Sequence, residues 1–198
     1  MPHFIFDLDG TVTQAEILPR IAANLGLQEE IGLLTRLTLA GAIDFEQSLR
    51  LRFAILRQIP LPEIQAIVAA TPLDPDIVAF IAANKKHCSV ATGNLDAWIE
   101  PLRERIPCAF FSSSSHLNNG VLELKAVLDK GETVRQLKKS SHKCVVVGES
   151  YNDLAMFEEA DISIAFGGVH QPVPALLEWS DYFVPGAKEL CALLRLLQ

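Results

Sequence analysis

From Asp76 onward the chain alternates short apolar runs with helical stretches, and that alternation constrains its fold more than any single residue does. Cys88–Thr92, Cys144–Val147 and Ile162–Phe166 are apolar runs of four or five residues, each closely followed by glycine. Their length and glycine punctuation predict buried strands. Helical patterns over 76–84, 96–105, 131–139 and 152–159 lie between or beside them, followed by a short helix over 174–179. Tyr182–Val184 reads as a last strand and 187–197 as a last helix. Phe110–Ser113 and Val121–Leu124 flank Asn119-Gly120, a type I′ hairpin signal, and the serine run 112–115 reads as a loop. A further apolar run, His3–Leu8, opens the chain as a first strand. Strands alternating with helices form a parallel sheet covered on both faces, so the predicted class is α/β with a Rossmann-like parallel sheet core.

Residues between the first strand and Asp76 break this rhythm. Helical stretches over 16–25 and 29–39 end at Gly26 and Gly41, a third starts at Asp44, and a fourth covers 61–70. Gly at helix ends and Asp at a helix start are the expected punctuation. A small helical module over 13–73, inserted into a core of 1–12 and 74–198, follows. A chain of 198 residues accommodates one domain with such an insertion.

In open parallel sheets, ligands bind beyond the carboxyl ends of the strands. The first strand ends in Asp7-Leu8-Asp9-Gly10-Thr11, the Cys88 run in Thr92-Gly93-Asn94, and the Cys144 run in Gly148-Glu149-Ser150-Tyr151-Asn152-Asp153. Lys130 opens a helix expected to start near the same rim. Clustered carboxylates suit a hard cation such as Mg²⁺. That cation and Lys130 would offset the charge of a phosphate, and Thr92 with the amides of the following turn could bind its oxygens. A carboxylate can also act as nucleophile and form an acyl phosphate. Asp-x-Asp-Gly opens calcium loops too, but the twelfth position from Asp7 is Leu18, where such a loop needs Glu.

In order, spacing and strand context, these segments resemble the four motifs of the haloacid dehalogenase superfamily. The resemblance implies that Asp7 attacks phosphorus, and that Asp9 protonates the leaving oxygen and then deprotonates water. Thr92 and Lys130 would hold the phosphoryl group. Asp7, the Asp9 carbonyl, Glu149 and Asp153 would bind Mg²⁺. Asp9 implies a phosphatase, because dehalogenases of the superfamily lack this second acid. The segment 43–52 in the insert resembles the helical cap of phosphoserine phosphatases. By that resemblance Glu16 would bind a substrate ammonium, Arg52 a carboxylate, and Phe45 would shield the pocket, with Gly93 and Asn152 as further substrate contacts. The implied activity is hydrolysis of O-phosphoserine or a similar small amino-acid phosphate. The alternatives are another small phosphorylated metabolite, phosphotransfer, or a regulatory phosphate- or metal-binding module. This sequence departs from the pattern at Glu149, where aspartate is expected as a metal ligand, and at Asn94, where glycine is expected.

The bulk properties agree with a globular enzyme. Hydrophobic residues make up 49% of the chain, enough for a core. A net charge of −7 repels phosphate backbones and argues against nucleic acid as partner, while a local field can still admit a small phosphate. No apolar stretch approaches the roughly 18 residues of a membrane span. The N-terminus has no basic segment ahead of an apolar one, so a signal peptide is not expected. Cys88, Cys108, Cys144 and Cys191 are scattered without a paired spacing, which fits a reducing cytoplasm. His3, His87, His116, His142 and His170 lack metal-ligand spacing and read as structural or exposed. Gly167-Gly168 reads as a loop, and the chain is expected to be a monomer or homodimer.

Overall fold

His3–Phe6 (β1) is wholly buried and lies at the centre of the sheet. The computed structural model describes residues 1–119, 121–140 and 143–198. The remaining strands are Cys88–Leu95 (β2), Ala109–Asn118 (β3), Val121–Ala126 (β4), Cys144–Gly148 (β5), Ile162–Phe166 (β6) and Tyr182–Val184 (β7). They form one sheet in the order β4-β3-β2-β1-β5-β6-β7, parallel throughout except for the β3–β4 hairpin. The chain builds outward from β1 on one side as far as β4 and then crosses to β5 on the other. β1 therefore stands at the point where strand order reverses, which is where such sheets leave a crevice.

Alternation along β1 divides the core in two. Phe4 and Phe6 face one side and pack with Phe80 of Pro75–Ala83 (α5), the Phe4 and Phe80 rings meeting edge to face at 5.3 Å. Ile5 faces the other side and packs with Val134 of Lys130–Lys138 (α7) and Met156 of Leu154–Glu159 (α8). A period of two in side-chain direction makes this division unavoidable for a strand covered by helices on both faces. Pro174–Glu178 (α9) and Ala187–Leu196 (α10) complete the layers, with Leu176 on the α8 side and Leu190 on the α5 side.

The insert contains Ile17–Ala22 (α1), Gln28–Leu39 (α2), Phe45–Leu56 (α3) and Leu61–Ala69 (α4). Asp44 caps α3 by accepting from the Gln47 amide at 3.0 Å. At the root of the insert the two linkers pair: Thr13 bridges Leu73, and the Asp74 amide donates to Val12 O at 2.9 Å. The insert does not float above the sheet. Phe53 of α3 stacks obliquely on Trp98 of Asp96–Arg103 (α6) at 5.7 Å, and Gln65 of α4 donates to Ala97 O.

Two expectations need correction. The serine run 112–115 is strand rather than loop. Ser113 is fully buried, donates to Gly93 O at 2.7 Å and accepts from the Leu128 amide; Ser115 donates to Asp96. Tertiary partners thus satisfy the Ser113 and Ser115 hydroxyls, which favour loops in isolation. β2 likewise continues past Thr92 to Leu95, with an irregularity in its pairing to β3 between those residues. Asn119 has φ +50, which suits a tight turn, but Gly120 of the expected type I′ turn lies outside the described residues, as does His142. Among the described residues no helix is long and apolar enough to cross a membrane.

Candidate active site

Asp7 continues the β1 ladder by donating its amide to Val147 O at 2.9 Å, and its carboxyl group stands at the strand tip. Beyond it, Leu8–Val12 forms one wide turn in which Asp9 is extended and Gly10 has φ +71. Only glycine fits at position 10. The backbone is left-handed, and a Cβ there would lie 2.1 Å from Glu149 Oε1. Thr13 braces the turn: its hydroxyl donates to Ala15 O at 2.9 Å, with Leu8 O 3.1 Å away as the alternative acceptor.

Lys130, the first residue of α7, is buried and donates to Asp7 Oδ1 at 2.5 Å and to Asp153 Oδ1 at 2.6 Å. Asp153 in turn is fully held. Its Oδ2 accepts from the Glu149 amide at 3.0 Å, the Ser150 amide at 2.9 Å and the Ser150 hydroxyl at 3.0 Å. Gly148 allows this fold-back, since a Cβ there would approach Asp153 Cγ to 2.7 Å. Thr92 Oγ1 accepts from the Asn94 amide at 3.1 Å, and the Asn94 side chain donates to Asp9 Oδ2. Asp9 Oδ1 accepts from the Ile17 amide at 2.9 Å, tying the strand tip to the start of α1.

The insert closes over this rim. The Phe45 ring rests on Gly93, where a Cβ would lie 2.1 Å from Phe45 Cζ. Arg52 is 4% exposed; among the described residues its hydrogen bonds go to Thr35 Oγ1 at 3.1 Å and Ser48 O at 3.3 Å, with no carboxylate partner. Glu16 meets His170 Nε2 at 3.1 Å. A cavity of about 40 Å³, roughly three water volumes, lies between insert and core. Asp7, Asp9, Thr92 and Asn152 line it from below, and Glu16, Phe45 and Arg52 from above. Gly93 also lines it, whereas Lys130, Glu149 and Asp153 do not.

A family model described as haloacid dehalogenase-like hydrolase matches residues 4–158. This chain belongs to the haloacid dehalogenase-like hydrolases. It is 27% identical over 176 residues to a phosphoserine phosphatase of Methanocaldococcus jannaschii, covering 82% of this chain and 83% of that one. It is 29% identical to a phosphoserine phosphatase of Vibrio cholerae over 82% of this chain and 54% of that one. The chain thus spans most of the first relative and about half the length of the second. Its fold superposes on a structure described as a phospho-aspartyl intermediate analogue of phosphoserine phosphatase with a TM-score of 0.81 at 23% identity, over 97% of this chain and 98% of that one.

Charge in this hydrolase site is strongly unbalanced. Burial, then Asp153, push the Asp7 carboxyl up to about 7 against the pull of Lys130. Burial, Glu16 and Asp7 hold Asp9 well above the usual carboxylate range. Burial, Asp7, Glu16 and Asp153 push Glu149 up to about 10. Burial alone would lower Lys130, but Asp153 and Asp7 overcome it and keep the ammonium charged. Among the described residues neither buried Glu149 oxygen makes a well-formed hydrogen bond, although the nearby His170 amide pulls its pKa down a little. A buried carboxylate is costly unless paired or bound to a metal, so this oxygen-rich donor set fits a hard divalent cation.

Every residue singled out from the sequence lies in or beside this rim. Asn94 is more than a departure from the pattern, because its side chain bonds Asp9. Thr35 and His170 were not expected. His170 is separated from Glu16 by 154 positions, and no spacing rule connects them. The reading of His170 as structural or exposed is therefore incomplete: its ring meets the acidic rim.

Proposed function

We propose that this haloacid dehalogenase-like phosphatase hydrolyses the phosphomonoester of a small amino acid, O-phosphoserine foremost, through an aspartyl phosphate on Asp7. One observation carries the substrate reading. Arg52, a buried guanidinium that feels Asp9 and Glu16 but forms no ion pair among the described residues, and Glu16, a carboxylate, line one cavity with Asp7. An amino acid supplies the complementary carboxylate and ammonium. The names of the relatives point the same way.

In the chemistry we infer, Asp7 attacks phosphorus and the bond from phosphorus to the serine oxygen breaks. Asp9, kept protonated by its surroundings, gives its proton to that oxygen. Asp9 then takes a proton from water as the water oxygen attacks phosphorus, which releases inorganic phosphate and restores Asp7. Lys130 and Thr92 hold phosphoryl oxygens. Mg²⁺, when bound, neutralises the charge gathered on phosphate and carboxylates. Asp7, the Asp9 carbonyl and Glu149 would hold it. Asp153, whose oxygens are engaged by Lys130 and the 149–150 turn, supports it by orienting those groups. Residues 13–73 serve as the cap. In this reading the cap opens to admit substrate and recloses to exclude water.

Turnover of a panel of phosphate monoesters with Mg²⁺ tests this reading. Phosphoserine should lead the panel, and Arg52→Ala should lower its kcat/KM by about 100-fold, as expected for loss of a charge-assisted pair, while sparing an ester without a carboxylate. Unchanged phosphoserine turnover in Arg52→Ala would overturn the substrate assignment. The pairing of Glu16 with His170 favours a second reading, in which the chemistry is the same but the substrate carries a carboxylate and no ammonium. The same panel separates the two.

A further inference from the structure

We propose that Glu16, Glu149 and His170 form a divalent-metal site that takes Zn²⁺ through an imidazole nitrogen and two carboxylate oxygens. One ligand atom from each lies within 4.8 Å of the others. They come from three separated segments: the start of α1, the turn after β5 and the loop after β6. Zn²⁺ bonds of about 2.1 Å set tetrahedral donor atoms about 3.4 Å apart, so the side chains need close by up to about 1.4 Å.

A hydrogen bond between Glu16 and His170 would by itself be an unremarked surface pair. Glu149 joins this pair as a third donor. That side chain is 2% exposed, and among the described residues neither carboxylate oxygen makes a well-formed hydrogen bond, the His170 amide alone lying near. Its extra methylene, compared with aspartate, carries the carboxylate over Gly10 towards the other two groups. Mixed imidazole and carboxylate donors favour Zn²⁺ over Mg²⁺, which prefers oxygen alone. His170 is partly open to solvent and gives the ion a way in. The site rests on the phosphatase reading only in sharing Glu149 with the proposed Mg²⁺ ligands. Zn²⁺ here would withdraw Glu16 from the cavity and so act as an inhibitor competing with the substrate's ammonium.

The test is calorimetric titration of the whole protein, without added Mg²⁺, with Zn²⁺, and with Co²⁺ absorption as a spectroscopic readout. Wild type should bind one Zn²⁺ equivalent, and the Co²⁺ complex should show visible bands that change in His170→Ala. Zn²⁺ affinity should fall at least about 10-fold in His170→Ala and in Glu16→Gln, as for loss of one ligand in a small donor set. Equal Zn²⁺ affinity in wild type and His170→Ala, or a Co²⁺ spectrum indifferent to that change, would overturn the site. That outcome would leave Mg²⁺-supported turnover intact. Absence of turnover on every ester would overturn the phosphatase reading and leave the Zn²⁺ titration intact.

Discussion

The two sides of the Asp7 tip are built on opposite principles. On one side, Lys130 and Asp153 form a closed network in which every carboxylate oxygen of Asp153 meets a donor. On the other, Glu149 is just as buried, and among the described residues only the His170 amide comes near its oxygens, short of a well-formed hydrogen bond. Both lie at the end of β5, within one turn of each other. The satisfied side holds Asp7 in place before substrate arrives, which is what electrostatic preorganisation requires. The unsatisfied side keeps its acid neutral until a cation stabilises the ionised form.

Opposite stability effects on the two sides would sharpen that contrast. Lys130→Met should have the largest effect. It leaves Asp7 and Asp153 buried without their cation and should cost about 3–5 kcal/mol in urea unfolding, with turnover nearly abolished. Glu149→Gln should do the reverse in chelator. Burial keeps the Glu149 carboxyl protonated up to about 10, so metal-free wild type loses stability as pH rises above the ordinary carboxylate range. Removing the acid removes that loss, and the variant should gain about 1–3 kcal/mol at pH 8 while binding Mg²⁺ more weakly by calorimetry. A metal-free Glu149→Gln protein less stable than wild type would break the comparison, because Glu149 would then have a protein partner.

The smallest effect belongs to the lid contact. Gly93→Ala places a methyl where the Phe45 ring now rests. KM for the preferred ester should rise about 5-fold with kcat nearly unchanged, as for a loss of uniform binding. Phe45→Ala in the same chain should recover most of that rise. Independent, additive effects of the two changes would show that the ring and the glycine do not meet in the working enzyme.

Much of this site was legible before any coordinates. Asp7, Thr92 and Gly148 each end an apolar run, and runs that alternate with helices can only stack as parallel neighbours with their ends on one rim. Other features had no local signal. The serine run 112–115 looks like a loop until Gly93, Leu128 and Asp96 supply partners for its hydroxyls. The bond from Asn94 to Asp9 joins residues 85 positions apart.

By itself, then, the amino-acid order determined the strand–helix alternation, the acidic strand tips and the lysine that opens α7, because periodicity and punctuation act over a few residues. Tertiary structure alone decided which acids are satisfied and which are left bare. It turned Glu149 onto Gly10, brought His170 to Glu16, and enclosed Arg52 in one cavity with Asp9 and Glu16. Those outcomes depend on burial and on partners distant in the chain, and neither is encoded in any short stretch of residues.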